Sequence, residues 1–335
     1  MHSFAQSREG HVRKLPFLIV AAAAAAGFWF FGKNFQIHGL DSLRVASREA
    51  TTPASVENPL PVQRTGDTIR IATFNIQVFG TSKLGKPKVM DILARIVRQF
   101  DVVAIQEIRS RDDDIIPKFV EQINAAGRQY DYVIGPRLGR SNSKEQYAFI
   151  FDRASIEIDR SQLYTVEDPD DLLHREPLVG WFRVRGPAPE QAFTFSLVNI
   201  HTDPDETKQE LDALDDVFRV VRDDGRNEDD VLVLGDLNVD DRNLGQLGQM
   251  PGAGWVISGL PTNTRGTSQY DNIVYDTRAT REFTGRGGVF DYMREYNLSM
   301  DEALEVSDHL PVWGEFSVYE GGAVGRVAAV PATIR

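Results

Sequence analysis

The chain has 335 residues, 41% of them apolar and 26% charged. This is ordinary globular usage, which excludes a disordered, collagenous, coiled-coil or polytopic membrane chain. Its 49 acidic against 37 basic side chains give a formal charge of −12, so it cannot hold a polyanion through bulk positive charge, and any nucleic-acid contact must be local. The absence of cysteine excludes disulfides, thiolate nucleophiles and zinc ribbons and leaves the redox compartment open.

Residues 1–14 form a basic flank carrying Arg8, His11, Arg13 and Lys14, followed by an apolar run from Leu15 to Phe31 broken only by Pro16 and Gly27. That run is at the lower limit of membrane-spanning length, and its basic side is expected to stay cytoplasmic, with the rest of the chain across the membrane. Two readings stand: a signal peptide cut within Ala21–Ala26, giving a secreted protein, or an uncleaved anchor ending in the aromatic belt Phe28, Trp29, Phe30 and Phe31. The anchor is preferred, because cleavage within the alanines would leave four aromatic residues as an exposed stub. Residues 32–67 turn to Ser, Thr, Pro, Arg and Asn without periodicity and read as a tether.

From Thr68 to about residue 320 the pattern is that of one domain, with 321–335 as a tail. Eight β-rich apolar runs read as strands: Ile69–Ile76, Asp101–Ile108, Tyr147–Phe151, Leu178–Val184, Phe193–Ile200, Val231–Leu237, Asn272–Tyr275 and Pro311–Val318. Three stretches have helical spacing. These are Val89, Ile92, Leu93, Ile96, Val97 and Phe100; Ile115, Ile116, Phe119, Val120 and Ile123, with Gly127 as a stop; and Leu211, Leu214, Phe218 and Val221. Helices interleaved with strands and hairpin-like pairs predict an α/β sandwich of mixed sheets.

Several of these strands end on side chains that handle metals or protons: Asn75, Glu107, His201, and Asp236 with Asn238. The carboxyl ends of strands are where α/β sites gather. Asp236 and Asn238 are two apart, so a continuing strand would turn both to one side. Asp271 precedes one late strand, and Ser307, Asp308 and His309 precede another. Each alone has an ordinary explanation as a turn former or structural histidine. Together they make an oxygen-rich donor set that suits Mg2+ or Mn2+ better than zinc.

At eight places the chain resembles the endonuclease/exonuclease/phosphatase superfamily, in its pancreatic deoxyribonuclease I branch. These are TFNIQVFG from Thr73, VVAIQEIR from Val102, LGRSNSKEQYAFIF from Leu138, HREP from His174, LVNIHTDP from Leu197, VLGDLNVD from Val233, YDNIV from Tyr270 and SDHLPV from Ser307. The resemblance implies a four-layer α/β sandwich, two mixed sheets flanked by helices, that hydrolyses phosphate esters with a divalent metal. By that resemblance Glu107 is the main metal ligand, with Asn75 and Asp308 around the same site. Asp236 and Asn238 orient or activate the attacking water or hold a second metal. His309 with Asp271, and His201 with Glu145, are the two histidine and carboxylate pairs flanking the scissile phosphate.

The same resemblance makes Arg175 a phosphate contact and Arg109 and Arg140 minor-groove contacts. It implies DNA as substrate, and the expected action is cleavage with little sequence preference; no protein partner is inferred, and the chain is expected to be a monomer. The chain departs from the branch in three ways: Ser143 stands where a groove-stacking tyrosine is expected, the disulfides are absent, and Leu260 replaces an acidic ligand. Weaker duplex engagement follows from the first, and structural Ca2+ sites are doubtful from the third, although Thr262 and Thr264 remain. A phosphomonoesterase or phospholipid phosphodiesterase of the same superfamily is the alternative, and a catalytically silent binding module is disfavoured because no expected catalytic position is substituted.

Overall fold

A computed structural model of the chain describes residues 66–140 and 144–322. The expected anchor at 15–31, the tether up to residue 65, Ser143 and the tail from 323 onward lie outside the described residues. Twelve strands form two six-stranded sheets. The first runs, edge to edge, β11 (Phe283–Val289), β12 (Val312–Ser317), β1 (Thr68–Phe79), β2 (Val102–Ile108), β4 (Gln146–Asp152) and β3 (Tyr130–Ile134). The second runs β5 (Ile156–Thr165), β6 (Leu178–Val184), β7 (Thr194–His201), β8 (Val231–Asp236), β10 (Asp271–Asp276) and β9 (Ala253–Trp255).

Period-two alternation sorts the strand residues into layers. In β1, Ile69 and Ile71 face the second sheet and pack with Phe149, Phe182, Phe195, Leu232 and Ile273. Ala72, Phe74 and Ile76 face outward, against the helices α2 (Pro87–Val97) and α3 (Ile115–Asn124). α2 starts with a proline in its first turn, where the missing N–H costs nothing, and it buries Val89, Ile92, Leu93, Ile96 and Val97 along one stripe. On the far side, α4 (Thr207–Arg222) lays Leu211, Leu214, Phe218 and Val221 on Val198, Ile200, Val231 and Val233. The result is helix, sheet, sheet, helix, the four layers expected from the sequence. No helix of the described residues is long and apolar enough to cross a membrane.

The expected strands correspond to the eight interior strands of the two sheets. The four missed strands, β3, β5, β9 and β11, are the four sheet edges. Edge strands have one unpaired side and carry polar or glycine residues, as in TGRG of β11, so their apolar signal is weak. Three short helices were also missed: α1 (Thr81–Leu84), α5 (Tyr292–Glu295) and α6 (Met300–Val306). The first expected helix stops at Val97, and Phe100 is instead a buried loop residue.

Topology brings the polar strand ends together. β1 with β2, and β7 with β8, are parallel pairs, so their carboxyl ends lie at matching edges of the two sheets. In register, His201 of β7 and Asp271 of β10 both lie opposite Asp236 of β8, forming a row across three strands. Gly235 makes this row possible, because a Cβ there would lie 1.7 Å from the Ile200 carbonyl oxygen. Only a glycine lets β8 approach β7 this closely.

Candidate active site

Asp236 is buried at the end of β8, and its Oδ2 is the hub of the cluster. It accepts a hydrogen bond from Asn75 Nδ2 at 2.9 Å and lies 3.5 Å from the Nε2 of both His201 and His309. Behind each imidazole stands a second carboxylate. His309 Nδ1 is 2.8 Å from Asp271 Oδ2, and His201 Nδ1 is 3.1 Å from Glu145 Oε1. A carboxylate on Nδ1 fixes the ring and leaves Nε2 facing the cluster.

The carboxylates are themselves held. Thr262 Oγ1 donates to Asp271 Oδ2 at 2.7 Å and accepts from the Tyr270 and Asp271 backbone N–H groups. Arg175, 5% exposed, pairs with Glu145 Oε1 at 2.5 Å through its Nε, which also donates to the His201 carbonyl at 3.1 Å, a bond its Nη2 repeats at 3.0 Å. The Tyr147 hydroxyl accepts from the His201 N–H at 2.9 Å, and the Tyr270 ring lies against His309, centroids 5.8 Å apart.

These contacts decide the protonation states. Burial opposes charge on His309, yet the carboxylates of Asp271 and Asp236 outweigh it and carry its pKa well above the usual imidazole value. His201 is likewise raised: burial works against its cation, but the Glu145 hydrogen bond and the Asp236 charge prevail. Burial alone would raise Glu145, but His201, Arg175 and Arg109 hold its carboxyl below the ordinary range. Both imidazoles are thus biased toward the cation, while burial raises the Asp271 carboxyl against the opposing pull of His309.

Glu107 sits on the other side of Asn75. Its φ is +59°, and the registers of β2 with both β1 and β4 shift around it, so a bulge in a left-handed conformation turns this carboxylate out of the sheet. Glu107 Oε1 accepts from Asn75 Nδ2 at 3.2 Å and Oε2 from the Val78 N–H at 2.8 Å. Asp308 Oδ2 accepts from Gln77 Nε2 at 2.8 Å, and Ser307 Oγ donates to the Asn75 carbonyl at 2.7 Å, joining the loop before β12 to β1. Burial raises the Asp308 carboxyl; nearby Glu107 pushes it further up, while His309 pulls it down.

Asn75 Oδ1 is buried and has no hydrogen-bond partner. An orphaned amide oxygen beside the carboxylates of Glu107 and Asp308 is a donor set that fits a hard divalent cation. The donor atoms of Asp236, Asp271 and His309 lie within 4.8 Å of one another, a second place where the acidic groups could hold a metal.

Sequence reasoning needs correction at Asn238. β8 ends at Asp236, and Asn238 has a φ of +52°, so strand alternation does not align the two. A turn joins them instead: the Asn238 N–H donates to Asp236 Oδ1 at 3.1 Å, and its side-chain amide donates to the Thr202 carbonyl at 2.8 Å. Arg175, which the resemblance makes a phosphate contact, is buried with its guanidinium on Glu145 and the His201 carbonyl. Arg109 lies 3.3 Å from Glu107 and 3.9 Å from Glu145. Arg140 reaches across to Asp171 at 3.0 Å and Glu206 at 2.5 Å.

Thr262 and Thr264 do not stand free as cation ligands. Thr262 serves Asp271, and Thr264 Oγ1 donates to the Ser307 carbonyl at 2.7 Å. Lys83 gave no signal in the sequence. Its amine donates to the carbonyls of Gln77 and Val306, and burial brings its pKa down to about 8 against the pull of Asp308 and Glu107.

The model of the Endonuclease/Exonuclease/phosphatase family matches residues 72–309. The chain belongs to that family, in its deoxyribonuclease I branch, and is therefore an enzyme, a hydrolase of phosphoric esters. It is 34% identical to deoxyribonuclease gamma of Rattus norvegicus, over 73% of this chain and 83% of that one. It is 33% identical to deoxyribonuclease-1-like 2 of Homo sapiens, over 73% and 90%, and to deoxyribonuclease-1-like 1 of Bos taurus, over 73% and 80%. Among solved structures the human nocturnin catalytic domain superposes with a TM-score of 0.52 at 14% identity, covering 77% of this chain and 96% of that one. An endonuclease/exonuclease/phosphatase family protein of Bacteroides thetaiotaomicron gives 0.50 at 16%, covering 74% and 97%. At such identities these two carry the fold alone.

Proposed function

We propose that the chain is a divalent-metal-dependent DNA endonuclease with little sequence preference, acting outside the cytoplasm and held at the membrane through residues 15–31. The observation that carries the chemistry is the convergence of two carboxylate-backed imidazoles on Asp236, beside the metal-fitting group Asn75, Glu107 and Asp308. The names of the relatives support DNA as the substrate.

In this reading a nonbridging phosphate oxygen lies against the His201 and His309 Nε2 protons, which neutralise charge building up at the phosphorus. Asp236 orients the attacking water and takes its proton. An imidazolium returns a proton to the departing sugar oxygen. Asn75, Glu107 and Asp308 would hold Mg2+ or Mn2+, which when bound acts as a Lewis acid on the phosphate. Asn238 fixes the turn that keeps Asp236 in place, and Arg175 keeps Glu145 and the His201 backbone together. Arg109 and Arg140 are the groove contacts.

A panel assay tests the reading, with supercoiled plasmid, single-stranded DNA, RNA, inositol phosphates and sphingomyelin, in Mg2+ or Mn2+. Plasmid nicking is expected to dominate; faster turnover of the phosphomonoesters or the lipid would replace this reading. Full-length protein is expected in the membrane fraction, and recovery in the cytosolic soluble fraction would refute the tether.

A further inference from the structure

β8 has the catalytic cluster at one end and a second acidic cluster at the other. Asp230 immediately precedes this six-residue strand, about 20 Å from Asp236 at the usual strand rise. Glu282 precedes β11 and Glu320 follows β12, both on the first sheet. One carboxylate oxygen from each of Asp230, Glu282 and Glu320 lies within 4.8 Å of the others. Asp230 is 2% and Glu282 1% exposed.

Two buried carboxylates in contact with a third are costly unless something positive sits among them. Among the described residues, no Lys, Arg or His pairs with any of the three. Asp230 Oδ1 and Glu282 Oε2 are both buried without a hydrogen-bond partner. Two other oxygens in the cluster are already used. Glu282 Oε1 accepts from the Gly321 N–H at 2.5 Å and Glu320 Oε2 from the Thr194 N–H at 3.2 Å. Neighbouring Glu228 has both oxygens occupied, by the Trp181 Nε1–H at 2.8 Å and the Asp230 N–H at 3.0 Å, and its carboxylate adds to the negative charge around Asp230. Burial, reinforced by Glu282 and Glu320, pushes the Asp230 carboxyl far up.

We infer that Asp230, Glu282 and Glu320 form a second cation site, for a hard divalent ion of the Ca2+ class, that ties the two sheets together at the end opposite the active site. An ion with oxygen ligands at about 2.4 Å bridges oxygens up to about 4.8 Å apart, and the three donor oxygens lie within that limit. The half-open side at Glu320 leaves room for waters to complete the shell. Asp230 adjoins the second sheet and its partners the first, so a bound ion adds to the backbone link that Phe193 N–H and Glu320 N–H already make between them here. The alternative occupant is a proton shared between Asp230 and Glu320.

Thermal unfolding of the full-length protein, first in chelator and then in Ca2+, separates the two. Wild type is expected to gain about 5–10 °C in Tm at a hundred-fold excess of Ca2+ over its Kd. Glu282→Gln and the more exposed Glu320→Gln are expected to lose most of that gain while melting at or above wild type in chelator, since repulsion is relieved. Tb3+ in place of Ca2+ should emit on Trp excitation through Trp181, and the emission should fall in both variants. Equal Ca2+ shifts in wild type and Glu320→Gln, or Tb3+ emission unchanged in it, would overturn the site and leave the shared proton. Plasmid nicking, measured alongside, bears on the nuclease reading and not on this one.

Discussion

His201 ends β7 and His309 lies in the loop before β12, yet they present Nε2 at the same 3.5 Å from one oxygen, Asp236 Oδ2. Each has its own carboxylate on Nδ1, Glu145 for one and Asp271 for the other. In the proposed mechanism this near-symmetry would set two imidazole donors and one carboxylate base around a single phosphate. Removing either imidazole is expected to cost about 10²- to 10⁴-fold in kcat/KM on plasmid. His174, which lies 3.5 Å from Asp203 outside this cluster, serves as the control. Loss in His174→Ala matching that in His201→Ala would mean the site is wrongly assigned.

The pH dependence follows from the partners. Both imidazoles are raised above their ordinary value of about 6.5, mainly by carboxylates overcoming burial. The active cationic forms therefore persist above pH 6.5, and activity falls on the alkaline side as they lose protons. Glu145→Gln removes the His201 counter-charge and is expected to move that alkaline limb to lower pH. The same linkage acts on folding. The contribution of a raised histidine is complete below its unfolded pKa and is lost as pH rises through the folded one, so Tm in chelator should decline from about pH 6.5 upward. An alkaline limb unmoved by Glu145→Gln would detach His201 from the reaction.

Glu107→Ala is expected to leave a folded and nearly inactive enzyme, since the bulge at φ +59° serves to aim this carboxylate, and excess chelator should reproduce the loss in wild type. Alanine keeps a Cβ at this positive φ, so the backbone cost is unchanged and Tm should stay close to that of wild type. Full plasmid nicking in chelator, or in the variant, would remove the metal from the reaction.

Gly235→Ala tests the packing that aligns His201, Asp236 and Asp271. A Cβ at 1.7 Å from the Ile200 carbonyl oxygen must push β8 from β7, at a cost on the order of 1–3 kcal/mol. Circular-dichroism melting should show the loss in Tm, and nicking should fall further than the loss of folded protein explains. A variant with unchanged Tm would mean the strands can separate without penalty.

The two groove arginines are expected to separate. Arg109 lies 3.3 Å from Glu107, so Arg109→Ala should depress cleavage of both duplex DNA and a small chromogenic phosphodiester. Arg140 is bound to Asp171 and Glu206, away from the metal-fitting group. Arg140→Ala should depress duplex cleavage alone, with the gap to wild type narrowing as salt rises because one counterion-releasing contact is gone. Equal losses on both substrates for Arg140→Ala would make it a structural clamp.

How much of this the sequence disclosed follows from burial. Strands covered on both faces, such as VVAIQEI and VLVLGD, read as continuous apolar runs, and all eight of them were legible. The edges IEIDRSQLYT and FTGRGGV bury little and blend with loops. Asn75, Glu107, His201 and Asp236 could be found because each ends an apolar run. The clamps Thr262, Tyr147 and Gln77 act only through partners far along the chain, which no local pattern encodes. Asn238 was misplaced for a local reason, since a left-handed residue after a strand reverses the alternation that sequence spacing assumes. The cluster of Asp230, Glu282 and Glu320 spans ninety residues and exists only once the sheets stack.

The most direct test of the account is the rate of supercoiled-plasmid nicking in Mg2+ by wild type and by the near-isosteric Asp236→Asn. The convergence of Asn75, His201 and His309 on this one carboxylate predicts nicking by wild type and a loss of about 10³-fold or more in the variant, with Tm nearly unchanged. Nicking that survives Asp236→Asn, or a wild type that leaves plasmid intact while hydrolysing phosphomonoesters, would contradict it.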